Sequence, residues 1–168
     1  MKKIILTAVA VFAFSLANAQ ETKFGVKAGV DLASVKVKVP EISFLGTVLS
    51  PETTVTDSET GFYVGGFATI GISDKFSFQP ELMYVAIKDF NFLSVPLLAK
   101  YSFTEEFHAI AGPSLNYFLD AEEDQFKVNV DFGGSYDITD EIDLNAKYSL
   151  GFGDVSVNGF FIGAGYKF

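Results

Sequence analysis

Hydrophobic and polar residues alternate along most of this chain from Lys23 onward. A period of two is typical of strands that bury one face. The first such segment sets five apolar residues, Phe24, Val26, Ala28, Val30 and Leu32, against Lys23, Gly25, Lys27, Gly29 and Asp31. The pattern predicts eight strands, near 23–32, 61–72, 76–88, 91–103, 107–119, 126–138, 142–152 and 159–168.

The length of these segments and of their connections indicates where the strands lie. Soluble strands average about 5–6 residues, whereas a membrane strand needs roughly 9–11. Three connections, 73–75, 104–106 and 139–141, are short and polar, and 34–60 is long. Short turns at one end and longer loops at the other are typical of outer-membrane barrels. The sequence therefore predicts an all-β fold, an eight-stranded antiparallel up-and-down transmembrane β-barrel, with periplasmic termini and loop 34–60 outside the cell.

Aromatic residues test this orientation independently, because Tyr and other aromatic rings collect at the two membrane interfaces of such barrels. One group falls near the predicted periplasmic strand ends, and a second falls near the opposite ends. The predicted aromatic girdle consists of Tyr101, Tyr136, Tyr166 and Phe168 in the first group and Tyr84 and Tyr117 in the second.

The first twenty residues have the composition of a secretory signal. Lys2 and Lys3 precede an apolar run, Ile4–Leu16, and Ala17-Asn18-Ala19 supplies a small-x-small cleavage site. We expect residues 1–19 to be a cleaved signal peptide and residues 20–168 to form the barrel domain. The alternative, an N-terminal membrane anchor, is disfavoured because the run is shorter than the roughly 20 residues that a spanning helix needs.

Charge and composition exclude several classes of function. The net charge is −9, and removing Lys2 and Lys3 leaves 10 of the 12 lysines against 21 acidic residues, a net charge of −11. An exported acidic chain without Arg is not expected to bind nucleic acid. The absence of Cys excludes disulfides and thiolate metal sites. His108 is the one imidazole, and no nucleophile motif accompanies it. We expect no enzymatic activity, catalytic residue, metal or cofactor.

Several short motifs resemble a known family. They are Phe24-Gly-Val-Lys-Ala-Gly-Val30, Gly61-Phe-Tyr-Val-Gly-Gly-Phe67, Phe78-Gln-Pro-Glu-Leu-Met-Tyr84, Val95-Pro-Leu-Leu-Ala-Lys-Tyr101, Ala111-Gly-Pro113 and Gly165-Tyr-Lys-Phe168. Together the chain resembles the Bacteroidota outer-membrane β-barrels called PorT-like or "porin family". The resemblance implies an eight-stranded barrel and suggests that Phe168 is a C-terminal signal for the barrel assembly machinery. Some relatives belong to a secretion system, so an extracellular or secretion-system partner is a further expectation.

The faces predicted to point inward carry many charges. An eight-stranded barrel is just wide enough for side chains to fill, so we expect no open pore. If the third and fourth strands pair about residues 88–91, Glu81 and Lys100 lie nearly opposite and form an ion pair, which Lys27 or Lys147 could extend. We interpret these charges as structural rather than as an ion path, because buried charges must be paired.

The long loop is too apolar for a purely solvated segment. Its apolar residues are Ile42, Phe44, Leu45, Val48 and Leu49. They either fold onto the barrel mouth, pair as an extended hairpin, or form a surface that docks a partner. The alternation of Val35–Val39 also suggests that the first strand protrudes.

Two further expectations concern the fold as a whole. Pro80, Pro96 and Pro113 fall inside predicted strands, where each removes a ladder bond, so bulges or local breaks are expected. The competing fold is a soluble periplasmic lipocalin-like barrel that binds a small apolar ligand, with its apolar faces inward. The aromatic girdle favours the outer-membrane version, with lipid and lipopolysaccharide as neighbours.

Overall fold

The structure, a computed structural model, describes residues 22–39, 42–44, 47–50, 53–88, 90–120, 125–153 and 155–168. The predicted signal peptide, residues 1–19, lies outside the described residues. Within the described ranges there is no helix of the length and apolarity needed to cross a membrane.

Eight antiparallel strands close into a barrel in the order β1-β10-β9-β8-β7-β6-β5-β4, and the short strands β2 and β3 pair separately. The closed barrel confirms the predicted fold class, and five predicted strands lie within one residue of the observed bounds at either end. The strands are β1 (Thr22–Val39), β2 (Ile42–Phe44), β3 (Thr47–Ser50), β4 (Thr53–Gly71), β5 (Phe76–Ile87), β6 (Phe90–Ser102), β7 (Phe107–Phe118), β8 (Phe126–Asp137), β9 (Ile142–Gly151) and β10 (Val155–Lys167).

The predicted loop 34–60 is largely β-structure. Strands β1 and β4 pair in one register from Thr22–Ile70 to Val39–Thr53, and β10 joins them as far as Val37–Val155. Of the alternatives for this segment, pairing as an extended hairpin matches the observed strands, because the alternation of Val35–Val39 meets a facing segment rich in β-branched threonine, which suits a paired strand. The first strand therefore extends beyond its predicted end, as its own alternation suggested.

The three short turns share one hydrogen-bond pattern. The hydroxyl of Thr104 accepts from the backbone N–H of Phe107 at 2.9 Å, and that of Thr139 accepts from Ile142 at 3.0 Å. Ser73 accepts from Phe76 in the same way at 3.2 Å. A Ser or Thr hydroxyl that bonds a backbone group three residues on stabilises a tight turn. We call this end of the barrel the short-turn end.

The two faces of the barrel wall are chemically opposite. Outward positions carry large exposed apolar side chains on every strand, among them Phe24, Phe62, Leu82, Leu93, Phe107, Phe132, Leu144 and Ile162. Inward positions carry buried charges, among them Lys27, Asp31, Glu81, Lys100, Asp131, Asp143, Lys147 and Lys167. This is the reverse of the lipocalin-like alternative, which needs apolar side chains inside.

The three strand prolines are accommodated without any shift of register. Beside Pro80, pairing of β4 with β5 stops at Phe67–Glu81 and resumes at Ile70–Phe78 with the same offset. Beside Pro96, pairing of β5 with β6 is interrupted between Pro80–Leu97 and Met83–Ser94. Beside Pro113, pairing of β6 with β7 is interrupted between Pro96–Ser114 and Ala99–Ala111, again with the same offset. The expectation of bulges or local breaks is confirmed in its second form, because the ladder is broken locally at all three prolines.

Candidate functional site

A network of four charged side chains lies in the middle of the lumen. The Nζ atom of Lys27 lies 2.6 Å from Oε1 of Glu81. Lys147 Nζ lies 3.2 Å from Oε2 of Glu81 and 3.0 Å from Oδ2 of Asp131. All four side chains are almost completely screened from solvent. Two cations thus neutralise two carboxylates, as the several kcal/mol of desolvation per buried ion requires.

Neighbouring polar groups complete the hydrogen bonds of this network. The Gln79 amide donates to Oε1 of Glu81 at 2.8 Å, and the Ser114 hydroxyl donates to Oδ1 of Asp131 at 2.7 Å. Each ammonium also faces an aromatic ring: Lys27 lies 5.4 Å from the centre of the Phe67 ring. Because each carboxylate is hydrogen-bonded from two sides, the network has the geometry of a rigid plug.

The structure corrects one predicted pairing in the lumen. Lys100 faces Ser77 across β5 and β6, four residues from Glu81, which is about 14 Å along the strand. The predicted Glu81–Lys100 pair is wrong because the connection pairs Ile87 with Phe90, a register different from the one assumed. Lys27 and Lys147, rather than Lys100, contact Glu81.

Above the charged network, at the end away from the short turns, the lumen contains a cluster of aromatic and aliphatic side chains. Phe90, Phe92 and Phe118 pack together with ring centres 5.0 to 6.4 Å apart. Phe92 and Phe118 belong to a buried cluster with Met83 and Val85, and Phe90 packs against it. The sequence analysis missed this layer, yet it contains a signal: the run from Met83 to Ile87 is apolar at both alternating positions, as expected of a strand buried on both faces.

The predicted aromatic girdle lies on the outside of the barrel. Tyr84, Tyr117, Tyr136, Tyr166 and Phe168 are all exposed. At the short-turn end, Tyr101 packs between Phe76, at 4.8 Å, and Phe103, at 5.0 Å between ring centres. The rings therefore form contacts with one another along the outer surface of this end.

The predicted docking residues belong to the segment between β1 and β4. The side chains of Ile42, Phe44, Leu45, Val48 and Leu49 lie outside the described residues. The backbone pairs Phe44 with Thr47 and Ile42 with Ser50, which makes a small two-stranded sheet. Their role in docking stays a prediction.

His108 lies between a hydroxyl and a carboxylate at the short-turn end. Its Nδ1 atom is 2.9 Å from Oγ of Ser102, and its Nε2 atom is 3.3 Å from Oδ2 of Asp137. These are the residue types of a catalytic triad. However, Lys167 Nζ is only 2.6 Å from the same Asp137 oxygen, so the carboxylate is already neutralised by an ammonium. No cluster of His, Asp or Glu that could hold a metal ion occurs in the part of the chain that the structure describes.

Solved structures share this architecture. Neisserial surface protein A is 21% identical with a TM-score of 0.55, over 89% of this chain and 100% of that chain. Ail, the attachment invasion locus protein of Yersinia pestis, is 14% identical with a TM-score of 0.51 over 89% of this chain and 100% of its own. A de novo designed transmembrane β-barrel is 16% identical with a TM-score of 0.52, over 89% of this chain and 99% of that chain. These likenesses show a common fold.

Sequence comparison adds no family assignment. No family model and no curated protein matches the chain.

Proposed function

We propose that this chain is a bacterial outer-membrane β-barrel protein without an open pore and without enzymatic activity. The observation that carries the proposal is the inverted wall, apolar outside and charged inside. An exterior of large exposed apolar side chains on all eight strands would be a severe aggregation hazard in water. The same exterior suits the hydrocarbon layer of a membrane, and the buried charges and aromatic rings of the lumen leave little room for a pore.

The location implies its surroundings. Membrane lipid and lipopolysaccharide would cover the outward apolar band, and the girdle tyrosines would lie at the headgroup level. Phe168 is 72% exposed and its ring lies 6.2 Å from that of Tyr166. We propose that this ring is recognised by the barrel assembly machinery, and that residues 1–19 direct export. Membership of the PorT-like family rests on the quoted motifs.

A structural or surface-interaction role would use the end away from the short turns. There β1, β4 and β10 extend beyond the other strands. The β2–β3 sheet lies between β1 and β4 in the chain. Deleting residues 40–52 tests the predicted docking segment. We expect the barrel to fold without it, since all eight barrel strands remain. Loss of folding would mean that the segment serves the barrel rather than a partner.

Cell fractionation tests the location directly. We expect the expressed protein in the outer-membrane fraction, starting at Gln20 by mass spectrometry, and migrating faster on a denaturing gel when the sample is not heated. A periplasmic protein without this heat-dependent shift would overturn the proposal and restore the soluble alternative.

A further inference from the structure

A polar cavity of about 360 Å³ opens inside the barrel at the short-turn end. It is lined from seven strands and the first short turn, and its lining includes Lys23, Lys100, Lys167, Ser77 and Ser102. The volume lies at the lower end of the range of small-molecule sites, about 300–1,000 Å³. This cavity is separate from the Lys27–Glu81 network.

Lys100 differs from the other lysines buried in the lumen. Lys27, Lys147 and Lys167 each lie within 3.2 Å of a carboxylate oxygen. Lys100 is equally buried, with 5% of its surface exposed. Among the described residues, no carboxylate lies within 4 Å of its ammonium and no side chain accepts a hydrogen bond from it. A buried ammonium without a close partner is unfavourable, so an anion held in this cavity would stabilise Lys100.

The remaining lining has the chemistry to complete such a site. Three lysines, Lys23, Lys100 and Lys167, line the cavity together with two carboxylates. Asp137 is already bound to Lys167 at 2.6 Å, and the other carboxylate, Asp74, is exposed on the first short turn. Serine hydroxyls donate readily to anionic oxygens, and lysine binds phosphate as a point charge.

We propose that this cavity binds a small soluble anion that carries a phosphate or carboxylate group, with the Lys100 ammonium as its principal ligand. Since the cavity lies inside the barrel at the short-turn end rather than on the outer surface, a free solute fits it better than a membrane lipid. That this solute comes from the periplasm rests on the proposed function. The binding itself does not depend on which compartment the short-turn end faces.

Inorganic phosphate is the probe. The folded barrel, in an uncharged detergent, is unfolded in urea at increasing phosphate and constant ionic strength. We expect the unfolding rate to fall steadily as phosphate rises, by about tenfold when phosphate exceeds its dissociation constant tenfold. Lys100→Met should abolish this dependence, and Lys75→Met should retain it, because Lys75 is an exposed turn residue at the same end that does not line the cavity.

Several results would overturn the proposal. They are an unfolding rate independent of phosphate in the unmodified protein, an unchanged dependence in Lys100→Met, and an equal loss in Lys75→Met. If Lys100→Met does not fold, Lys100→Gln is used instead. Phosphate binding is then measured directly from the phosphorus NMR line width. Fractionation tests the outer-membrane location separately, so either proposal can fail alone.

Discussion

The ammonium of Lys27 lies 2.6 Å from the carboxylate of Glu81 at the centre of the closed barrel, and neither side chain reaches solvent. The two residues belong to β1 and β5, which are not neighbours in the barrel. The contact therefore spans β4, which lies between them, and ties together two strands that share no backbone hydrogen bond. Removing one partner of a buried pair typically costs about 3–5 kcal/mol.

A double-mutant cycle measures this contact. Lys27→Met and Glu81→Gln should each lower the free energy of unfolding in urea, and the double variant should lose less than the sum, by about 1–3 kcal/mol. The cycle of Lys100→Met with Glu81→Gln is the control. Because Lys100 does not contact Glu81, its effects should add within about 0.5 kcal/mol. Coupling in the control but not in the test cycle would contradict the register described above.

Two buried aspartates should respond oppositely to the same substitution. Asp31 and Asp131 are each 1% exposed. Oδ1 of Asp31 has no hydrogen-bond partner among the described residues, whereas Asp131 accepts from Ser114 and Lys147. Asp31→Asn removes a buried charge that forms no salt bridge among the described residues, and it should raise the free energy of unfolding by about 1 kcal/mol or more. Asp131→Asn should lower it by about 3 kcal/mol.

The two Asp→Asn substitutions differ only in the surroundings of the carboxylate, so the readout is the sign of the change in the free energy of unfolding. Equal destabilisation by both variants would show that Asp31 is paired in solution.

A lysine introduced on the outer wall should destabilise the barrel more the deeper it lies in the membrane. Val130 and Ile138 both point outward, 41% and 54% exposed. Val130 lies in the middle of β8, and Ile138 follows the end of that strand. Val130→Lys should lower the free energy of unfolding in lipid by about 2–4 kcal/mol, and Ile138→Lys by at most about 1. Similar losses at both positions, or none at Val130, would argue against a membrane around the barrel.

Ser102 should not behave as an activated nucleophile. A serine hydrolase needs a histidine whose imidazolium is stabilised by a free carboxylate. Here the carboxylate of Asp137 is bound more closely by Lys167, at 2.6 Å, than by His108, at 3.3 Å. A fluorophosphonate probe should therefore label the unmodified folded protein no more than it labels the Ser102→Ala variant. Labelling that disappears in both Ser102→Ala and His108→Ala would instead reveal an enzyme.

The alternation of residue types was sufficient to predict the eight strands and the face of each that points outward. Side chains on a strand point to opposite sides in turn, so the pattern is local and each strand carries it independently. The bounds of β5 to β9 followed from the pattern alone. The start of β4 did not, because Thr53–Thr60 is polar enough to resemble a loop until it pairs with the end of β1, whose alternation at Val35–Val39 does suggest a longer strand.

The partners of the inward charges were decided only by the tertiary structure. The sequence predicts that Lys27, Glu81, Lys100 and Lys147 point into the barrel, but it does not determine the register between the strands. That offset, together with the closure of the barrel, sets the height at which each side chain enters the lumen. As a result Glu81 meets Lys27 and Lys147 from distant strands, while Lys100 is left facing the cavity at the short-turn end.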